Sequence, residues 1–217
     1  MSKIGVFDSG VGGKAVVNAI QKEMPELSVL YIDDAKNLPY GNKTPKQLLE
    51  LVIPKLNELE NAGCEVILVA CNTVTTTIIK EVRDRIKVPI VAVEPMVKPA
   101  AALTKTKTIA VCATPTTLNS SRYRELLDLY AKHLTVLEPD CSDWVYLIEK
   151  KAADRTSIKD RIKEVCAEGA DVIVLGCTHY HWIEEEIEEI AKGYDAKVIQ
   201  PEAALVAQLK RVLKQLP

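Results

Sequence analysis

KLNELENAGCEVILVACNT (55–73) lies over DRIKEVCAEGADVIVLGCTH (160–179) with its chemistry in step. Gly63 meets Gly169, Glu65 meets Asp171, Val66-Ile67 meets Val172-Ile173, and Cys71 meets Cys177, 106 positions on (177 − 71). Each segment reads as the end of a helix, a glycine, a short buried strand and a polar loop. A second pair agrees: IGVFDS (4–9) matches IAVCAT (109–114) at an offset of 105 (109 − 4). Two strand-and-loop units repeated at nearly one spacing predict two similar halves, about 1–95 and about 96–199. The last helix, 200–217, is expected to return to the first half.

The rest of the chain fits the same scheme. Apolar, β-branched runs recur at 4–7, 29–32, 66–70, 90–93, 108–112, 134–137, 172–176 and 197–200. They are nearly continuous rather than alternating, which suits strands buried on both faces of a parallel sheet. Helical patterns lie between them: Lys14 to Met24, Pro45 to Asn61, Val74 to Ile86, Leu118 to His133, Ser157 to Glu168, Ile183 to Lys192 and Glu202 to Leu216. Thr44 is a natural N-cap with Pro45 in the first helical position. The fold class read from this alternation is α/β, two pseudo-symmetric domains with mainly parallel sheets.

Composition narrows the function. Of 217 residues, 47% are apolar and 27% charged, the balance of a globular protein. Lys+Arg number 28 against 30 Asp+Glu, so the formal net charge of −2 offers nothing to nucleic acid or an anionic membrane. Aromatics are only 5%, too few for a stacking platform. No apolar run approaches the ~18 residues of a membrane span, and the N-terminus lacks a signal-peptide pattern. The expected location is the cytoplasm. The six cysteines (64, 71, 112, 141, 166 and 177) form no Cys-x-x-Cys pair and are expected as thiols.

Ligands of parallel α/β sheets bind at the carboxyl ends of strands. Cys71-Asn72-Thr73 and Cys177-Thr178-His179 both fall there. Two thiols flanking one substrate suit a reaction in which one removes a proton from carbon and the other returns one to the opposite face. A thiol titrates near enough to neutrality for both forms to be accessible. N–H groups at the start of the following helices would favour the thiolate. Asp8-Ser9-Gly10-Val11-Gly12-Gly13 leads from the first strand into a helix and reads as an anion site, not as a dinucleotide fingerprint. Asp8 is within plausible reach of Cys71. Pro39-Tyr40-Gly41-Asn42-Lys43 reads as a rigid turn lined with donors. Thr114-Pro115-Thr116-Thr117, followed by Ser120, is the second half's counterpart to the Asp8 loop, with hydroxyls and N–H groups for a carboxylate. His179 is a natural acid/base partner for Cys177. His181 adds a third donor in this stretch, but Cys-x-His-x-His shows no fourth ligand, so no metal is expected. The glutamates between 184 and 189 read as a solvated helix face.

These motifs, in this order, resemble the glutamate racemase family within the cofactor-independent aspartate/glutamate racemase superfamily. The resemblance spans almost the whole chain. It rests on Asp8-Ser9-Gly10-x-Gly12-Gly13, Asp34 ahead of Pro39-Tyr40-Gly41-x-Lys43, Ala70-Cys71-Asn72-Thr73, Glu94-Pro95, Thr114-x-x-Thr117-x-x-Ser120, Glu149, and Gly176-Cys177-Thr178-His179-Tyr180. It implies two α/β domains with the active site in the cleft between them. It also implies interconversion of L- and D-glutamate without pyridoxal phosphate or any other cofactor, supplying D-glutamate for peptidoglycan. By motif match, Cys71 and Cys177 are the acid/base thiols and Asp8 and His179 their partners. Ser9, Pro39, Tyr40, Gly41, Asn72, Thr73, Thr114, Thr117 and Thr178 bind substrate, and Asp34 and Glu149 support them. The partner expected is therefore a small amino acid, with neither nucleic acid nor membrane; a homodimer is compatible. The chain departs from the pattern at His181 (commonly Pro), Val74 (commonly Ala), Asn37 (commonly Arg) and Asp33 (commonly Gly), and it is shorter than most relatives. Val74 leaves open a smaller acidic substrate such as aspartate. A racemase-like interaction protein is the reading from a different class.

Overall fold

A computed structural model describes residues 2–216. In chain order the elements are β1 (Lys3–Asp8), α1 (Gly13–Glu23), β2 (Ser28–Asp33), α2 (Pro45–Asn61), β3 (Val66–Val69), α3 (Asn72–Arg83) and β4 (Ile90–Ala92). They continue with α4 (Val97–Leu103), β5 (Thr108–Cys112), α5 (Pro115–Leu118), α6 (Ser121–Tyr130), β6 (Thr135–Leu137), α7 (Trp144–Glu149), α8 (Thr156–Ala167), β7 (Val172–Leu175), α9 (Glu184–Lys192), β8 (Lys197–Ile199) and α10 (Glu202–Leu213). The chain divides into two compact units, Met1–Glu94 with Pro201–Pro217, and Pro95–Gln200.

Each unit holds a four-stranded sheet, ordered β2-β1-β3-β4 in the first and β6-β5-β7-β8 in the second. Every strand pairing is parallel. The repeat seen in the sequence is a repeat of register: Ile4 pairs with Val66 in the first sheet, and Ile109, its sequence counterpart, pairs with Val172 in the second. The α/β class with two parallel sheets is thus the observed one.

The central strands are apolar without interruption because both of their faces are covered. In β3, Val66 and Leu68 pack with Val16 and Ile20 of α1. Ile67 and Val69 face the other way, against Leu48, Val52 and Leu56 of α2. In β7, Ile173 and Leu175 pack with Ile158 and Ile162 of α8, and Val172 and Val174 with Tyr123 and Leu126 of α6. A fully buried side chain of this kind contributes about 1.5–3 kcal/mol. Leu205, Val206 and Leu209 of α10 join the first unit's cluster beside Val16 and Ile20.

Local chemistry sets the element ends. Thr44 and Gln47 form a reciprocal capping box on α2, with Pro45 in the first turn. Gly63 and Gly169 take the left-handed conformation, φ 81° and 97°, after α2 and α8. In each case the next residue's N–H reaches back five residues, Cys64 to Leu59 and Ala170 to Val165. This is a Schellman close, which a Cβ would strain.

The sequence predicts one helix over Leu118–His133; the structure has two, α5 and α6. Ser120 interrupts them. Its hydroxyl donates to the Thr117 carbonyl at 2.7 Å and accepts from the Tyr123 N–H at 3.2 Å, so it caps a new helix. The helix expected from Val74 begins at Asn72, which brings Asn72 and Thr73 into its first turn. The short helices α4 and α7 have no counterpart among the predicted patterns. All six cysteines are free, five of them buried. Among the described residues, no helix is long and apolar enough to cross a membrane.

Candidate active site

Cys71 and Cys177 each stand two residues past the third strand of their sheet, β3 and β7. Each unit builds a constellation around its thiol.

In the first unit, Cys71 is the N-cap residue of α3 and is 4% exposed. Its sulfur lies 3.3 Å from the Ser9 hydroxyl. Burial first, and the Asp8 carboxylate second, push the Cys71 thiol from an ordinary 9.0 up to about 11. Hydrogen bonds from Ser9 and from the Val74 and Thr73 N–H groups act the other way. The helix start thus favours the thiolate, as the sequence predicts, but desolvation outweighs it.

Asp8 is fully buried. Its Oδ2 accepts the Gly13 N–H at 2.8 Å. The glycine turn expected as an external anion site is therefore turned inward: the anion at the start of α1 is Asp8 itself. Gly13 is required for this approach, since a Cβ there would lie 2.6 Å from the Asp8 Cβ and 2.9 Å from the Tyr31 ring.

Tyr40, between Pro39 and Gly41, is 2% exposed and donates to Asp34 Oδ2 at 2.6 Å. Burial, then Asp34, raise its pKa far above the usual phenol range, with the nearby Cys71 and Asp8 adding to the effect. It stays a phenol at every working pH. Asn37 Nδ2 sits 2.9 Å from both Asp34 oxygens. Lys55 Nζ comes within 4.0 Å. Sequence reading missed Lys55; it lies mid-helix on α2 with no motif around it. Asn72 is 2% exposed, and neither its amide oxygen nor its amide nitrogen has a hydrogen-bond partner. Two buried, unused amide atoms cost several kcal/mol unless a ligand or water meets them. The Val74 side chain is fully buried among the α2 and α3 core residues, so its bulk fills the core.

In the second unit, Cys177 is partly exposed and leads into a two-turn 3-10 helix, Thr178–Ile183, ahead of the helix that the sequence predicts from Ile183. His179, 2% exposed, bridges two groups: Nδ1 lies 3.8 Å from the Cys177 sulfur and Nε2 lies 2.8 Å from Glu149 Oε1. A carboxylate only accepts, so in the neutral ring Nε2 carries the proton and Nδ1 is bare toward the thiol. Gly176 permits the close packing of strand ends: a Cβ there would lie 3.0 Å from the Ala113 Cβ. The adjoining loop is Thr114–Thr117. Its hydroxyls serve the backbone first, for Thr114 caps α5 by accepting the Thr117 N–H at 3.3 Å and donates to the Thr117 hydroxyl at 3.0 Å. Thr178 is buried in the first turn after Cys177.

The structure thus gathers Asp8, Ser9, Cys71, Asn72, Thr73, Tyr40 and Asp34 in one unit, and Thr114, Thr117, Glu149, Cys177, Thr178 and His179 in the other. Among the described residues, no three His, Cys, Asp or Glu side chains are grouped to hold a metal ion.

Comparison with known proteins supplies the context for these two constellations. The glutamate racemase of Pseudomonas paraeruginosa is 38% identical over 215 residues, covering 97% of this chain and 81% of that protein. That of Methylococcus capsulatus is 35% identical over 215 residues, covering 97% and 79%. Glutamate racemase of Escherichia coli, solved with L-glutamate and the activator UDP-MurNAc-Ala, matches in structure with a TM-score of 0.87 at 28% identity. The match covers 98% of this chain and 82% of that one. The model of the Asp/Glu/Hydantoin racemase family matches residues 13–209, and the chain belongs to that family.

Proposed function

We propose that this protein interconverts L- and D-glutamate without a cofactor, with Cys71 and Cys177 as its two acid/base groups. The observation that carries the reading is the equivalent station of the two thiols in two sheets of one topology, each beside its own proton-handling partner. Glutamate as the substrate rests on the relatives' activity. The use of the product, D-glutamate, for peptidoglycan and its formation in the cytoplasm are what the family resemblance of the motifs implies.

The steps follow from the groups. On one face of the α-carbon a thiolate takes the proton: the C–H bond breaks, an S–H bond forms, and a planar carbanion is left. On the other face a thiol gives its proton to that carbon. Cys71, held as a thiol by burial and by Asp8, is the resting donor. Cys177 is the resting base, its proton passed to the bare Nδ1 of His179 and the imidazolium held by Glu149. Asp8 receives the Cys71 proton when the reaction runs the other way. The Asn72 amide offers an acceptor to the substrate ammonium and a donor to its carboxylate. Ser9, Pro39, Tyr40, Gly41, Thr73, Thr114, Thr117 and Thr178 line the substrate, and Asp34 holds Tyr40.

The test is isotopic. L-Glutamate is incubated in heavy water and the enantiomers are separated at low conversion for mass spectrometry. With one thiol per face, the D-glutamate formed is almost fully deuterated while recovered L-glutamate stays largely protiated. Protium carried into the product would mean a single base and would overturn the two-thiol mechanism. Turnover of L-aspartate with none of L-glutamate would overturn the substrate.

A further inference from the structure

His181 is the histidine of the Cys177–Trp182 stretch that the proposed mechanism leaves unused. Its surroundings are specific. Gln200 Nε2 donates to Glu184 Oε2 at 2.5 Å. Because a carboxylate cannot donate, this fixes which way the Gln200 amide points and turns its oxygen to His181. His181 Nδ1 lies 3.4 Å from that oxygen and 3.5 Å from Glu184 Oε2. Both neighbours accept, so Nδ1 carries the proton. This is the opposite tautomer from His179, two residues earlier.

The geometry gives this chain of bonds a task. A 3-10 helix has three residues per turn, so consecutive side chains point about 120° apart, and its hydrogen bonds are poorer than those of an α-helix. Residues 179, 180 and 181 therefore leave Thr178–Ile183 in three directions. His179 goes to Cys177 and Glu149. Tyr180 goes into the core, its ring 4.9 Å from Trp144 and its hydroxyl 3.4 Å from the Cys141 carbonyl. His181 goes to Gln200, the residue after β8. That strand is paired with β7, Val174 opposite Ile199, and β7 itself leads to Cys177. Pro201 further confines Gln200 to extended backbone. The weak 3-10 segment that carries the acid/base pair is thus pinned at two points, one in the core and one on the end of the neighbouring strand.

We infer that His181 is a positioning residue for the Cys177–His179 pair, acting through its Nδ1–H bond to Gln200. The inference rests on the proposed two-thiol mechanism for its effect on turnover, but not for its effect on Cys177 itself.

Three variants test it. His181→Phe keeps a ring and removes the donor. His181→Asn removes the ring and keeps an N–H near the Nδ1 position. Gln200→Leu removes the acceptor from the other side and stands in if either His181 variant fails to fold. Two readouts are taken: glutamate racemisation, and the alkylation rate of Cys177 by iodoacetamide, followed by peptide mass spectrometry. His181→Phe and Gln200→Leu are expected to lower kcat about tenfold with KM within about twofold, the pattern of a misplaced reacting group. They should also change the Cys177 alkylation rate at least threefold. His181→Asn should stay within about twofold in both. If ring packing against Trp182, 5.9 Å away, is all that matters, the order reverses: Phe is tolerated and Asn is not. That reversal, or wild-type values for His181→Phe and Gln200→Leu, overturns the inference. A wild-type protein inert toward glutamate overturns the proposed activity instead, and alkylation still decides the role of His181.

Discussion

Cys71 and Cys177 leave the same strand of two sheets with the same order and register, yet they arrive in different company. Cys71 caps a 12-residue α-helix, is almost wholly buried, and has a buried carboxylate, Asp8, beside it. Cys177 enters a 6-residue 3-10 helix, is partly exposed, and has an imidazole backed by Glu149. A negative group beside a buried thiol keeps its proton on. A neutral imidazole that turns a bare nitrogen toward a thiol is placed to accept its proton. The pseudo-symmetry of the backbone therefore places two like groups, and the second residue layer makes them unlike. The proposed mechanism uses that difference at each turnover, because in it one thiol is charged while the other is not.

The strongest way to break the comparison is to remove each thiol. Cys71→Ser and Cys177→Ser are each expected to lower racemisation by at least ~10²-fold in both directions, the scale of losing a positioned acid or base. Circular dichroism of L- and D-glutamate follows the reaction. Near-normal activity in either folded variant would remove that thiol from the chemistry.

Next come the partners. Glu149→Gln still accepts the His179 Nε2 proton but no longer stabilises an imidazolium, so kcat should fall about tenfold with KM nearly unchanged. Asp8→Asn separates activity from acidity. Removing the carboxylate takes away the second-largest cause of the raised Cys71 pKa, so Cys71 alkylation at pH 8 should rise while racemisation falls. If alkylation of Cys71 is unchanged or slower, Asp8 does not set its charge.

The raised Cys71 pKa is also a statement about stability. Burial holds this proton on the folded protein up to about pH 11, whereas an unfolded thiol loses it near 9.0. The contribution is complete below about pH 9 and is lost as pH rises toward 11, a fall of about 2–3 kcal/mol from this group. Urea unfolding of Cys71→Ala should show a shallower decline over that window than wild type. Equal slopes would mean that Cys71 titrates normally in the folded state.

The smallest catalytic effect is expected at Val74. Its side chain lies in the core beside Leu48 and Val52, so Val74→Ala should cost about 1–2 kcal/mol in chemical denaturation and leave the glutamate-to-aspartate activity ratio within about twofold. A change in that ratio would show that Val74 shapes the substrate pocket after all.

The fold was legible because its evidence is local. Buried parallel strands need continuous apolar runs, and Schellman closes need Gly63 and Gly169, so both the strands and the repeat stand out in the letters. The errors fall where a single side chain decides. Nothing in LNSSRY (118–123) announces that Ser120 will cap a new helix rather than ride on one. The helices α4 and α7, seven and six residues long, are too short to display a period. At the candidate site, residue types and spacing give the thiols and their neighbours. They do not give the balance of burial against hydrogen bonding that sets Cys71, nor the inward turn of Asp8. Lys55 approaches Asp34 only because α2 packs over the sheet. The unsatisfied amide of Asn72 is likewise a property of the folded surroundings.

The return of α10 to the first unit has a consequence for the chain as it is made. Every residue of the second unit, Pro95–Gln200, has been synthesised before Pro201 is added. The first unit, although its strands are translated earliest, waits for Leu205, Val206 and Leu209 to cover Val16 and Ile20. During translation the half bearing Cys177 is complete in sequence while the half bearing Cys71 still shows an apolar face. A released chain truncated after Gln200 would therefore present the first unit, not the second, to chaperones and proteases.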